Sequence, residues 1–305
     1  MRTLLKGGSL AGTYLISKGN SLVIRKEISL TTEREYGYYR WYSQLKKLQR
    51  FETQFPNLFV KVLEYGVILS STAYMDLEYH EDAVNCWTYV CECEDKEEVR
   101  RIFSQIVEKL DQLHKVKLNT CRNSISLYFK EEIESKIEEC LTTSLDFRKL
   151  YEETEVSLML PELEVIAHRL YKNPVESYTH GNVTLENILY FPKTGEVIFI
   201  DPYEENVIDN KYNEYSQLLQ SCNSNYELLC EGREDIPEGL KVFNSEMHML
   251  LQTRLTQDEV KLVKFFECSQ FYRMLPFKLK ANNNADDTLP FLKVANNLTK
   301  EVLCG

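Results

Sequence analysis

Short apolar runs broken by glycine open the chain. Leu4-Leu5, Gly12-Thr-Tyr-Leu-Ile16 and Leu22-Val-Ile-Arg-Lys26 are separated by Lys6-Gly-Gly-Ser9 and Lys18-Gly-Asn20. Runs of this length between turn residues predict a three-stranded antiparallel meander. Thr31-Thr-Glu-Arg-Glu35 supplies capping residues and early acidic charge for a helix, in which Glu35, Tyr38, Tyr42 and Leu45 recur at helical spacing. Phe59–Val62, Tyr65–Leu69 and Ala73–Leu77 predict two or three more strands. Beyond residue 79 the pattern turns helical. Val99, Ile102, Phe103, Ile106, Leu110 and Leu113 follow the i, i+3, i+4, i+7 rule of one long amphipathic helix. Ile133, Ile137 and Leu141 mark another helix, and Leu163, Ile166 and Leu170 a third. Thr256-Gln-Asp-Glu259 is a capping box ahead of Val260, Val263 and Phe266, and a last helix is expected from about Thr288 to Val302. Residues 222–253 are poorly patterned and read either as the lining of a pocket or as a loop with short helices. The class is therefore α+β, with a small antiparallel β-rich part over 1–79 and a larger, mainly helical part over 80–305.

One segment departs from the helical texture. Two β-type runs, 188–191 and 197–200, flank the turn signal Pro192-Lys-Thr-Gly195 and predict a hairpin. His180, Asn182 and Asn187 precede its first strand and Asp201 closes its second, so hairpin geometry brings an imidazole, two amides and a carboxylate to one end. Amide and carboxylate oxygens suit a hard divalent ion carrying phosphate.

Composition narrows the classes of function. A formal net charge of −11 argues against a protein that reads a nucleic-acid backbone, which needs a basic face. The nine cysteines are odd in number, dispersed and without a Cys-x-x-Cys pair, a pattern of reduced thiols in a cytoplasmic protein. No apolar signal core and no run of membrane-spanning length is present in the sequence, so no membrane span is expected. Glu131-Glu132 and Glu138-Glu139 read as solvated helix faces, and His114 as a helix-terminal residue.

His180-Gly181-Asn182, Asn187-Ile188-Leu189 and Ile200-Asp201 together resemble the His-Gly-Asp-x-x-x-x-Asn-Ile-Leu loop and the Ile-Asp strand end of the kinase-like small-molecule phosphotransferases. That superfamily includes aminoglycoside phosphotransferases and choline kinases, and bacterial capsule and lipopolysaccharide relatives are nearest in texture. The resemblance covers nearly the whole chain, with high specificity only over 178–201. Asp-Phe-Gly and Ala-Pro-Glu, which protein kinases carry after this point, are missing from the sequence.

The resemblance implies a protein-kinase-like, two-lobed fold that binds ATP and Mg²⁺ and phosphorylates a hydroxyl of a small molecule. It implies that Asn187 and Asp201 hold the ion and that His180 orders the loop. Lys26 is implied to grip the α- and β-phosphates, with Arg25 the alternative from strand register, and Glu35 to hold that lysine, with Glu33 the fallback. Gly7, Gly8 and Ser9 are expected to lay backbone amides over phosphate. Asp76, Leu77, Glu78 and Tyr79 are the expected crossover to adenine. One position departs: Asn182 stands where the family carries its catalytic Asp. Two accounts follow, a phosphotransferase inactivated at that position, or a natural pseudokinase that binds nucleotide in a regulatory role.

Overall fold

The computed structural model describes residues 2–5, 11–32, 36–119, 124–172, 175–204, 206–282 and 284–304. The N-terminal elements are β1 (Arg2–Leu4), β2 (Gly12–Lys18), β3 (Ser21–Ser29), α1 (Tyr36–Gln54), β4 (Val62–Ile68) and β5 (Thr72–Glu78). There follow β6 (Val84–Asn85), α2 (Cys86–Glu92), α3 (Lys96–His114), α4 (Ser124–Phe129), a π turn over Lys130–Glu134, α5 (Ser135–Thr143), α6 (Leu145–Glu152) and α7 (Val156–Leu170). After a short 3₁₀ turn, Leu185–Asn187, come β7 (Ile188–Phe191) and β8 (Glu196–Phe199). The remainder is helical: α8 (Lys211–Cys222), α9 (Tyr226–Glu231), α10 (Glu238–Arg254), α11 (Gln257–Asn282) and α12 (Leu289–Cys304), with a 3₁₀ turn at Ala285–Thr288. The chain is thus α+β, with a small antiparallel sheet and a mostly helical remainder.

Two compact units share the chain. The first takes residues 1–89, 104–113 and 180–206, and the second takes 90–103, 114–179 and 207–305. A single division near residue 79 does not describe them, because the 180–206 segment belongs with the N-terminal sheet.

In the first unit the five-stranded sheet runs β1-β2-β3-β5-β4, with antiparallel pairing throughout. Lys18 pairs with Ser21 across the two-residue loop Gly19-Asn20, where Gly19 takes φ +61° at the first place of the turn. Phe59 does not extend a sheet strand. It makes an isolated parallel bridge to Phe199, with Val60 N–H donating to Phe199 O at 3.1 Å and Phe199 N–H to Leu58 O at 2.9 Å. The expected strand at 59–62 therefore reduces to β4, beginning at Val62. The predicted hairpin forms as β7 and β8, with β6 paired to the outer side of β7. Phe51 on α1, Phe59 and Phe199 pack ring to ring at 5.0 and 5.6 Å between centroids and join α1 to the hairpin.

In the second unit α11 packs against α5, α7, α8 and α12 around a core that includes Phe147, Phe265, Phe266, Phe271 and Phe291. Residues 238–254, which lack a clear apolar period, form the long helix α10 by burying Leu240, Phe243, Met247 and Leu251. The helix expected through Ile133, Ile137 and Leu141 is interrupted at its start by the π turn. Glu132 is not on a solvated face, since it is buried and pairs with Arg273 Nε at 2.9 Å. His114 ends α3 and is also buried, with Nε2 2.7 Å from Glu214. Among the described residues no helix is long and apolar enough to cross a membrane.

Candidate functional site

Strand alternation decides between the two adjacent cations of β3. Successive side chains leave a strand on opposite faces, and Arg25 and Lys26 accordingly meet different partners. Arg25 donates through Nε and a terminal nitrogen to both oxygens of Asp76, at 2.6 and 2.8 Å, and lies over the Tyr74 ring. Lys18 adds a third contact to Asp76 at 3.0 Å. Burial raises the Asp76 carboxyl, but the hydrogen bonds from Arg25 and Lys18 outweigh it and hold it below the usual carboxylate range. Arg25 is therefore a structural partner within the sheet.

Lys26 is buried, and its ammonium lies 2.5 Å from Asp201 Oδ1 and 3.2 Å from Gln44 Oε1. It is the β3 cation that reaches the end of the hairpin. Asp201 holds φ +55°, a left-handed conformation that costs a non-glycine residue roughly 1–2 kcal/mol and needs its surroundings to maintain it.

The loop before the hairpin is fixed from both sides. His180 is fully buried, stacked on Phe59 at 5.7 Å and edge-on to Phe199 at 5.4 Å. Its Nδ1 accepts the Asn182 N–H at 3.1 Å and its Nε2 lies 2.7 Å from Ile200 O, so the ring is the neutral tautomer with the proton on Nε2. Gly181 sits at φ +88°, and a Cβ there would overlap the Tyr203 carbonyl oxygen. Asn187 donates through Nδ2 to Asn182 O at 2.8 Å and to Thr184 Oγ1 at 3.2 Å. With Nδ2 so committed, Oδ1 is the atom through which Asn187 could ligate a cation. Asn187 O also accepts the Ile200 N–H at 3.0 Å, which seats Asn187 and Asp201 at the same open end of β7–β8.

No protein-family model and no curated protein matches the chain.

A carboxylate and a side-chain amide oxygen are the hard ligands that Mg²⁺ takes, one or two at a time, alongside phosphate oxygens and water. An ammonium beside them suits the phosphates themselves, so the residues fit a Mg²⁺-bound phosphate. Among the described residues no group of three or more His, Cys, Asp or Glu is arranged to hold a metal ion by itself.

Other expected positions fare differently. Gly7, Gly8, Ser9 and Glu35, with the fallback Glu33, lie outside the described residues. Asp76 and Leu77 are interior to β5, paired to β3 on one side and β4 on the other. Their backbone groups belong to the sheet, and a role as a crossover to adenine does not suit them. Glu78 ends the strand, with its N–H bonded to Lys61 O at 3.0 Å, and Tyr79 follows it.

Sequence reasoning missed the contribution of α1. Gln44 Nε2 donates to Pro202 O at 3.3 Å, Lys47 Nζ to Tyr203 O, and Arg50 to Glu204 Oε2 at 2.9 Å. Gln44, Lys47 and Arg50 recur every three residues, a polar stripe along one helix face. That stripe was the available signal.

Proposed function

We propose that this chain is a kinase-like phosphotransferase that moves the γ-phosphoryl group of ATP to a hydroxyl of a small metabolite, with a sugar or surface-polysaccharide precursor as the acceptor class. The observation that carries the reading is the meeting of Lys26 and Asp201 at the hairpin end that also presents Asn187. A strand ammonium, a carboxylate and an amide oxygen drawn from distant parts of the chain are the set that phosphoryl transfer needs for charge neutralisation and positioning.

Each residue has a distinct task in this reading. Asp201 and Asn187 would hold the Mg²⁺, which when bound neutralises charge on the β- and γ-phosphates. Lys26 would exchange its contact with Asp201 for the α- and β-phosphate oxygens. His180 uses both ring nitrogens inside the loop, so it orders the backbone and does not transfer a proton. Asn182 can align the acceptor hydroxyl through its amide oxygen but cannot take its proton. Loss of a general base costs about 10²–10⁴ in rate, so nucleotide binding should survive while turnover falls.

That same residue supports the second reading, a pseudokinase that binds nucleotide without transfer. Asn182→Asp separates the two. A phosphotransferase gains ATP consumption with an acceptor from a panel of sugars, aminoalcohols and nucleosides, while a regulatory binder gains none with any of them. A chain whose melting temperature does not respond to Mg·ATP supports neither.

A further inference from the structure

Lys47 is a lysine in the interior of the protein. Its side chain is 2% exposed, in the middle of α1, where an apolar residue would pack without the cost of stripping water from an ammonium. Its ammonium donates to the Tyr203 carbonyl, lies 3.5 Å from the Glu204 carboxylate and stands 5.5 Å from the centre of the Phe51 ring. The polar partners are therefore both on the stretch that follows Asp201.

Tyr203 is the junction of the site. Its N–H donates to His180 O at 2.9 Å, and its carbonyl oxygen is pressed against Gly181 so closely that no Cβ fits there. Asn206 Nδ2 closes the same turn through Gly181 O at 3.0 Å. On the other side, two residues back, Asp201 holds its left-handed backbone while Gln44 takes the intervening Pro202 carbonyl. One carbonyl oxygen thus connects the buried ammonium to the 180–182 loop, two residues along the chain from Asp201, whose carboxylate meets Lys26.

We propose that Lys47 is the positioning residue of the candidate metal-phosphate site. It holds the Tyr203 carbonyl, and through it fixes Asp201 and the His180–Asn182 turn together, without itself touching nucleotide. The inference rests on the phosphotransferase reading and deepens it by naming what sets the affinity for the divalent ion. Groups that orient a metal ligand without binding the metal change metal affinity by about 10- to 100-fold when removed. A residue that merely fills the interior would change stability and leave the metal requirement alone.

The experiment uses the full chain as the parent, Lys47→Met, Lys47→Arg and Lys47→Gln, with ATP binding followed by calorimetry in EDTA and across a Mg²⁺ titration. In Lys47→Met the Mg²⁺ concentration for half-maximal enhancement of ATP binding should rise about tenfold, with the affinity in EDTA within about twofold of the parent. Lys47→Arg, which keeps charge and donors, should recover most of that loss. A folded Lys47→Met with an unchanged Mg²⁺ requirement overturns the inference, and so does an equal loss with and without the ion. If Lys47→Met does not fold, Lys47→Gln, which withdraws the ammonium from the Tyr203 carbonyl but keeps a polar side chain, decides. A raised Mg²⁺ requirement with intact affinity in EDTA supports the inference, and no change overturns it. A parent chain that binds no ATP under any condition instead overturns the nucleotide reading, and the inference with it.

Discussion

The ammonium of Lys26 lies 2.5 Å from the carboxylate of Asp201. In the proposed reading a metal-bound triphosphate would engage both groups, which here neutralise each other. Asp201→Asn should therefore have opposite effects on two measurements. ATP in EDTA should bind more tightly, because Lys26 is no longer neutralised, while the enhancement by Mg²⁺ should fall at least tenfold, since a ligand of the ion is lost. Equal affinities for parent and variant in both conditions would show that the pair has no part in nucleotide binding.

Asn182→Asp should raise ATP turnover by about 10²–10⁴ in the presence of a suitable acceptor hydroxyl, the usual contribution of a positioned base. Affinity for Mg·ATP should change little. Steady-state phosphate transfer across an acceptor panel, with binding measured separately, checks both.

Gly181→Ala should destabilise the protein by about 2 kcal/mol or more, because φ +88° suits glycine and the added methyl group overlaps the Tyr203 carbonyl. Gly195→Ala is the control. Gly195 also has positive φ but open space around it, so only the backbone cost of about 1 kcal/mol remains. Urea denaturation of the two variants should separate them in that order.

Glu267 gives stability a pH dependence unrelated to the candidate site. It is fully buried on α11, where burial pushes its carboxyl up to about 7 despite hydrogen bonds from Ser224 and Asn223 to Oε1. Its other oxygen, Oε2, has no hydrogen-bond partner among the described residues. The folded protein then keeps a proton that the unfolded chain releases near the ordinary glutamate value. Stability from this group is complete below that value and is lost as pH rises toward 7, by on the order of 2–3 kcal/mol. Glu267→Gln should flatten the loss between about pH 4.5 and 7 in thermal melts, and an unchanged slope would assign it to other groups.

Leu69 and Ser70 occupy the β4–β5 turn with φ of +49° and +56°, and Leu69 is almost wholly exposed. Leu69→Gly should stabilise the chain by about 0.5–1 kcal/mol by relieving left-handed strain, less the extra freedom glycine gives the unfolded chain. Chemical denaturation measures it directly.

Local patterns carried the sequence reading furthest. The β2–β3 hairpin, the β7–β8 hairpin and the long helix α3 are each encoded within a few tens of residues by alternation, turn residues or a 3.6-residue period. The polar ends of β7–β8 were legible for the same reason. Alternation alone puts Lys26 and Arg25 on opposite faces, and the partner each meets shows only in the pairing of β3 with β5, which supplies Asp76 to Arg25. The role of Lys47 was hidden because its partners are a carbonyl and a carboxylate more than 150 residues away, and a carbonyl has no sequence signature. α10 escaped because its second residue is Gly239, a poor helix former that the structure uses for close contact with the Val90 carbonyl. Glu132 looked like surface because a paired and a solvated glutamate read alike until Arg273 is brought to it by α11.

The first compact unit is drawn from three separate stretches of chain, and its 180–206 stretch supplies the backbone partners of Leu58, Phe59 and Val60. A fragment ending at residue 89 would therefore leave the Phe51–Phe59 rings without Phe199 and His180 and present wet apolar surface in their place. During synthesis the Phe51–Phe59 rings must wait for nearly a hundred further residues before that apolar face can close. Such a protein exposes that face early in folding, and its yield should respond to chaperone supply more than to the intrinsic strength of any one helix or strand.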